Sequence, residues 1–346
     1  MRLLFPFFLF LIPVTEVAAI EITAPSVPKA AQQWMPGNTT SFAEGLSEMV
    51  QSAVSLVRPE LREASQVSVS ILATVILLSI ARNFLGTYKR TVDFAGAASV
   101  AVVLMKNSTT MVRLGIDTIR ELSNYGKLLF PVMTTAMAAN GAATTSAALY
   151  VGTSVLNLIL SSLVSDFLIP GIYLLLAVSA TYAATRETLL KRIKDTIKKA
   201  ISWVLKILLT VFTTYMSITG VVSGTTDAAA LKATKLTIST FVPVVGGILS
   251  DASDAVLVSA GLLKNAAGIY GILAILAICM EPFLKTGVLY LIMKAVASLC
   301  SVIEGDTIAG FVDDVSSAMG LLLAMTGSVC ILLLISTVCF MKGFGS

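Results

Sequence analysis

Long runs without a charged residue dominate the hydrophobic pattern of this chain. A helix of about 20 mostly apolar residues crosses a bilayer, and runs of 18 or more are candidates for such spans. Charge-free runs lie at 128–165, 167–185, 207–226 and 315–341, and further apolar stretches lie at 64–84, 94–105, 265–280 and 286–303. The pattern therefore predicts an all-α, polytopic membrane helical bundle at 64–346 with about seven to nine spans.

Two of these stretches leave the number of spans open. Residues 94–105 are short for a span and contain Gly96, so a crossing, a re-entrant segment and a buried helix all fit them. The run 128–165 is long enough for two spans, and the Asn140-Gly141 turn signal within it predicts a helical hairpin bent near 140–146. Counting 94–105 as a crossing gives nine spans, and one re-entrant run reduces the number to seven or eight.

The first 19 residues have the pattern of a cleavable signal peptide. A single basic residue, Arg2, precedes an apolar stretch that is too short to cross a bilayer, and small residues end the segment. We expect cleavage between Ala19 and Ile20, which places the new N-terminus outside the cytoplasm. Residues 20–63 are then a short extracytoplasmic segment that begins as an extended linker.

A helix is predicted to start just before the first span. Ser41 and Glu44 have the S-x-x-E spacing of a capping box, and Pro59 is expected to end this helix or to begin the next one. Its apolar face fits the membrane surface or a partner protein, and it equally fits this protein's own bundle. The face consists of Phe42, Leu46, Met49, Ala53 and Leu56.

The strongest topological marker is a basic amphipathic stretch at 186–206. It carries seven basic and two acidic residues, and its apolar residues follow one helical stripe from Leu189 to Val204. We expect this helix to lie at the cytoplasmic membrane surface, because basic residues favour that side and bind anionic headgroups. A calmodulin-type or nucleic-acid role is less favoured because membrane spans flank the stretch. The lysines expected to point away from the stripe are Lys191, Lys194, Lys198 and Lys199.

Charge also orients the neighbouring loops. Arg82, Lys89 and Arg90 follow the first span and indicate the cytoplasmic side. The acidic stretch 304–314 is expected outside and Lys342 inside, so that every charged loop agrees with nine crossings.

An unusual segment near the middle of the chain is the candidate functional element. Prolines and paired glycines break helices, and acidic residues within membrane-compatible sequence are functional candidates unless they reach water. The sequence therefore predicts a broken-helix or gate element, with the alternative that the two carboxylates lie at a helix N-terminus in water. Its residues are Pro243, Gly246, Gly247, Asp251 and Asp254.

Composition excludes several kinds of chemistry. The 346 residues are 56% hydrophobic and 13% charged, with no histidine, four cysteines and a net charge of +4. Without histidine the chain cannot supply a Ser-His-Asp triad or an HExxH zinc site, and the GxGD motif of aspartyl intramembrane proteases is absent. The sequence predicts no enzyme activity, no cofactor and no metal site, and the cysteines are interpreted as apolar packing residues.

Two stretches around this central segment resemble a known family. FVPVVGGILSDASDAVL at 241–257 and GLLKNAAGIYG at 261–271 are similar to stage III sporulation protein AE of endospore-forming bacteria. Glu281-Pro282 and LLFPVMTTAMAANGA at 128–142 support the resemblance, which extends over nearly the whole chain.

The resemblance implies a function that composition cannot supply. Members of this family are membrane subunits of an assembly in the mother-cell membrane that surrounds the forespore. The implied partners are a secretion-type ATPase, ring-forming membrane proteins and the lipid bilayer, and nucleic acid is not among them. A stand-alone secondary transporter for a small solute is the alternative, because broken helices with acidic residues also form transporter sites.

Overall fold

The computed structural model describes residues 25–37, 42–84, 88–139, 143–218, 266–304 and 306–342. All regular elements in these ranges are helical, which confirms the predicted all-α class. The α-helices are α1 (Lys29–Gln32), α2 (Phe42–Phe84), α3 (Lys89–Ala139), α4 (Ala143–Leu163), α5 (Ile169–Thr185), α6 (Thr188–Ile218), α7 (Ala266–Glu304) and α8 (Asp306–Lys342).

Helix α8 forms the centre of the described bundle. It contains the charge-free run 315–341, and nearly every residue from Ile308 to Met341 is buried. Helices α3, α4, α5, α6 and α7 all pack against it. The long charge-free run of α8 is enclosed by the other helices, because enclosing it removes a large apolar area from the surroundings.

Side-chain register gives the direction of each helix relative to α8. Gly115 and Gly126 of α3 lie against Leu322 and Leu333, so α3 and α8 run parallel. Helix α7 is antiparallel to α8, since only residue 305 separates their ends and Tyr290 lies against Gly320. The glycines let the α3 backbone approach α8 closely, as small residues do between membrane helices.

Parts of α2 and α3 also lie at the end of the bundle where α8 begins. Gly96 precedes Gly115 by 19 residues, so it lies about 28 Å further toward this end. Leu78 of α2 lies against Gly96, which places the last residues of α2, with Arg82, and the first residues of α3 at the same end. We call it the α8 N-terminal end.

Three pairs of predicted spans are single continuous helices. Helix α3 contains both 94–105 and the start of 128–165. Helix α7 begins at Ala266 and contains the rest of the predicted span 265–280 together with the whole of 286–303. The predicted helix boundary at Pro59 is also wrong, because α2 continues through it. An interior proline removes a backbone hydrogen bond and lowers helix stability, but neighbouring helices in a bundle can satisfy the backbone groups that are left without a partner.

The third pair is joined by a π-helical turn at Val164–Leu168. Pro170 lacks the N–H that would bond the carbonyl of Asp166, and its ring crowds that carbonyl, so a wider turn at this point relieves the clash. Helices α4 and α5 therefore form one rod, and the nine predicted crossings correspond to six rods among the described residues: α2, α3, α4–α5, α6, α7 and α8. The bend predicted near 140–146 is confirmed, since α3 ends at Ala139 and packs against α4, which begins at Ala143.

Four helical stretches in the described chain are long and apolar enough to cross a membrane: Phe42–Phe84, Leu149–Thr185, Gly268–Ile303 and Ile308–Met341. Many large apolar side chains on their outer faces are exposed, among them Leu77, Leu158 and Leu291. Contiguous apolar surface of this kind is typical of contact with lipid or with partner proteins.

The apolar face at the start of α2 packs on this protein's own bundle. Phe42, Met49 and Ala53 are buried, and Leu46 packs against the same core. This outcome selects the second of the two alternatives stated for that face. The interpretation of the cysteines as apolar packing residues is also confirmed, since Cys279, Cys300, Cys330 and Cys339 are all buried.

Candidate functional site: two polar clusters between the helices

The first polar cluster joins α6 to α8. The amine of Lys194 donates to Oδ2 of Asp314, and both side chains are only 9% exposed. The same amine lies 4.8 Å from the ring centroid of Tyr182 on α5. A buried ammonium needs such compensation, because the interior disfavours an unpaired charge by several kcal/mol.

Two further lysines contact the same part of α8. Lys198 donates to Oγ of Ser317 at 2.6 Å, and Lys294 of α7 donates to Oδ1 of Asp313. The adjacent aspartates therefore receive lysines from two different helices. We call this group the ion-pair cluster, and its members are Lys194, Lys198, Lys294, Asp313, Asp314 and Ser317.

The ion-pair cluster corrects two predictions about the basic stretch. The expectation that its lysines point away from the packed face holds for Lys191 and Lys199, which are exposed, but it is wrong for Lys194 and Lys198. The apolar stripe predicted from Leu189 to Val204 also differs from the face that α6 buries. Helix α6 buries Ile201 and Leu205 against its neighbours, with Lys194 on the same face, while Leu189 is exposed.

The pair also corrects the predicted sidedness of the loops. The basic helix was assigned to the cytoplasm and 304–314 to the opposite side, yet Lys194 contacts Asp314 directly. The two assignments cannot both hold. Lys342, at the other end of α8, then lies away from the basic helix and not on its side. Loop charge alone gives the wrong relative position of these segments, because the acidic residues pair with lysines of the bundle.

The second polar cluster lies between α2, α3 and α7. Lys285 pairs with Glu281 one turn earlier at 2.8 Å and approaches Glu60 of α2 at 3.8 Å. Glu121 of α3 faces the same region. We call Glu60, Glu121, Glu281 and Lys285 the carboxylate cluster, because Lys285 pairs with Glu60 and Glu281 and Glu121 lies near Glu281.

Burial, together with neighbouring negative charge, makes the α3 member of this cluster harder to ionise than a carboxyl group in water. Burial raises the pKa of Glu121, and the nearby carboxylates of Asp117 and Glu281 raise it further. A carboxyl group in this setting retains its proton more readily than one in water. The cluster is therefore suited to exchanging protons and to pairing with a cation from outside the chain.

Neither cluster resembles a metal centre. In the ranges that the structure describes, no group of three or more Cys, Asp or Glu residues is placed to hold a metal ion. The chemistry available at the clusters is charge pairing, hydrogen bonding and proton exchange.

The candidate element predicted from sequence lies outside the described residues. Pro243, Gly246, Gly247, Asp251 and Asp254 all fall in 219–265, and the predicted cleavage site at Ala19 and Ile20 falls before residue 25. These assignments stay predictions.

Sequence reasoning missed the carboxylate cluster, although one signal was present. Glu281 and Lys285 have the i, i+4 spacing of a helical ion pair within an otherwise apolar stretch. Charges that interrupt an apolar run indicated a loop between two spans, whereas in the folded chain they pair inside one helix. Glu60 and Glu121 carry no comparable signal, because only the packing of α2 and α3 on α7 brings them together.

The similarity of this chain to known proteins extends over all the helices from α2 to α8. The profile of the family described as Stage III sporulation protein AE (spore_III_AE) matches residues 32–343. Stage III sporulation protein AE of Bacillus subtilis (strain 168) is 23% identical over 275 residues, which is 77% of this chain and 69% of that protein. No solved structure matches the chain.

Proposed function

We propose that this chain, which belongs to the stage III sporulation protein AE family, is a non-enzymatic membrane subunit of the channel apparatus between mother cell and forespore. The single observation that carries the proposal is the family match, which extends over residues 32–343. The proposed partners are a secretion-type ATPase and ring-forming membrane proteins of the same assembly.

The architecture supports a role as a membrane-embedded subunit. The two polar clusters lie where the candidate spans α2, α7 and α8 pack against α3 and α6, and large apolar side chains cover the outside of the candidate spans. Buried ionisable residues in such helices are costly and mark functional or assembly sites by default. The absence of histidine from the sequence agrees with a subunit that conducts or scaffolds and does not catalyse.

The proposed location is the mother-cell membrane around the forespore, with the α8 N-terminal end in the cytoplasm. Arg82 and the beginning of the basic helix α6 both lie toward that end, and basic residues favour the cytoplasmic side. The start of α2 and the last residues of α8 then lie outside.

Thiol labelling tests this orientation. In a variant without the four native cysteines, Lys199→Cys should react with a membrane-impermeant reagent only after the cells are permeabilised. In vegetative cells made to produce the chain, where the non-cytoplasmic side of the membrane faces the medium, Val50→Cys, which is exposed near the opposite end of α2, should react without permeabilisation. Labelling of Lys199→Cys from outside, with Val50→Cys protected, would reverse the orientation.

Co-purification tests the function. A tagged full-length chain, isolated in mild detergent from sporulating cells, should recover the ATPase and the ring-forming proteins. A tagged, unrelated polytopic protein from the same cells is the control and should recover neither. Isolation of the chain alone, together with solute uptake after reconstitution into vesicles, would favour the stand-alone transporter over the channel apparatus.

A further inference from the structure

An open groove runs along the outside of the bundle between α2 and α7. It encloses about 520 Å³ and is lined almost entirely by apolar atoms. Its length corresponds to the stretch from Leu61 to Leu72 of α2, about 16 Å along a helix. Ile292 and Leu299 form the opposite wall.

One end of the groove is marked by a cation. Arg62 is the charged residue of the lining, and it lies at the end where the charged residues of α2 stop. No Asp, Glu, Lys or Arg follows Glu63 until Arg82, so the groove extends from this boundary into the apolar part of the helix. Charged residues at such a boundary lie at the level of lipid headgroups.

Arg62 has no ion-pair partner among the described residues. Glu60 pairs with Lys285, and it does not face Arg62 because residues two apart on a helix point in different directions. The guanidinium is exposed and offers a planar set of donors that matches the oxygens of a phosphate.

We propose that this groove binds one anionic phospholipid, with the phosphate on Arg62 and an acyl chain along the apolar walls toward Leu72 and Leu299. Charge complementarity and the boundary position of Arg62 favour this ligand. A transmembrane helix of a partner spans about 30 Å, and the groove offers only about half that length. The site goes beyond the proposed channel role, because it concerns how the subunit holds its surrounding lipid.

Native mass spectrometry of the detergent-purified full chain tests the proposal. Titration with phosphatidylglycerol should give one tightly bound lipid, and Arg62→Gln should weaken its binding by about tenfold or more, the scale of a charge-assisted contact. Arg58→Gln removes an exposed arginine one turn earlier, outside the groove, and should leave binding unchanged.

A second pair of variants tests the acyl-chain path. Ala295 is an exposed residue of the groove, so Ala295→Phe should fill the space and displace the lipid. Ser298→Phe adds the same bulk to an exposed position of α7 outside the groove and should not displace it. Thermal unfolding in detergent should show that all four variants remain folded.

Several outcomes would overturn the proposal. Equal binding to the Arg62→Gln and Arg58→Gln variants would exclude the phosphate contact, and equal binding of a neutral diacylglycerol would exclude charge recognition. A dimer that Ala295→Phe dissociates would show instead that the groove binds a second copy of the chain. None of these outcomes bears on recovery of the ATPase and ring proteins.

Discussion

The ion-pair cluster and the carboxylate cluster both interrupt apolar helices, but their charges balance differently. In the first, Lys194 and Asp314 are nearly fully buried and pair one to one, and Lys294 and Asp313 form a second one-to-one pair that is more exposed. In the second, Glu60 and Glu281 share Lys285, Glu121 adds a third carboxylate near Glu281, and the two paired carboxylates and the lysine are partly exposed.

The difference separates a structural role from a responsive one. A balanced, buried pair has little capacity to take another charge, and losing either partner leaves the other uncompensated. A cluster with surplus carboxylates still has acceptors for a proton or a cation, and partial exposure gives water access to it. We therefore assign helix registration to the ion-pair cluster and sensitivity to pH and charge to the carboxylate cluster.

The largest expected effect tests the structural half of this comparison. Asp314→Ala should lower the free energy of unfolding by about 3–5 kcal/mol, because it leaves the buried amine of Lys194 unpaired. Thermal unfolding in detergent and the amount of protein in membranes would measure the loss.

Two further variants make this prediction specific. Asp313→Ala affects a pair whose Lys294 side chain is 51% exposed, so it should cost about 1 kcal/mol or less. The double change Lys194→Met with Asp314→Leu should recover most of the stability by removing both charges. Equal losses from Asp313→Ala and Asp314→Ala would contradict the assignment.

An intermediate effect on stability is expected at the contact between α3 and α8. A Cβ at Gly115 would lie 2.5 Å from Cδ1 of Leu322, so Gly115→Leu should cost about 1–3 kcal/mol through overpacking. Gly287→Leu is the matched control, since nothing lies within 4 Å of a Cβ there, and a leucine favours helix over glycine. If both variants unfold at the same temperature as the parent, α3 does not pack on α8 as described.

The smallest effect concerns pH and the carboxylate cluster. Folding raises the pKa of Glu121 above its ordinary value of 4.5, so its protonated form favours the folded state. Its contribution to stability is present below pH 4.5 and is lost as the pH rises through the raised value. Glu121→Gln should therefore be slightly more stable than the parent at neutral pH and equal to it in acid.

Unfolding curves at several pH values would measure this difference. Glu48→Gln, at an exposed position of α2, should show no comparable gain at neutral pH. A Glu121→Gln variant that is less stable than the parent at neutral pH would show that its carboxylate is paired and not crowded.

The site predicted from the sequence and the clusters found in the structure differ for a physical reason. The central element from Pro243 to Asp254 was singled out because proline, paired glycines and acids are unusual in apolar sequence, and such local signals need no partner. The clusters depend on long-range partners. Lys194 and Asp314 are 120 residues apart, and no periodicity in either stretch indicates that they meet.

The amino-acid sequence by itself determined that this chain is a membrane-type helical protein of the sporulation family. Apolar content and run length depend on the solubility of side chains in lipid, and they require no knowledge of packing. The turn between α3 and α4 follows in the same way, because Asn140-Gly141 is a local signal. Only the tertiary structure decided how many rods these runs form and which charged segments share one end of the bundle. An unpaired charged residue that faces lipid or water ends a membrane span. Glu281 and Asp314 instead have lysine partners inside the bundle, so the helices that carry them continue.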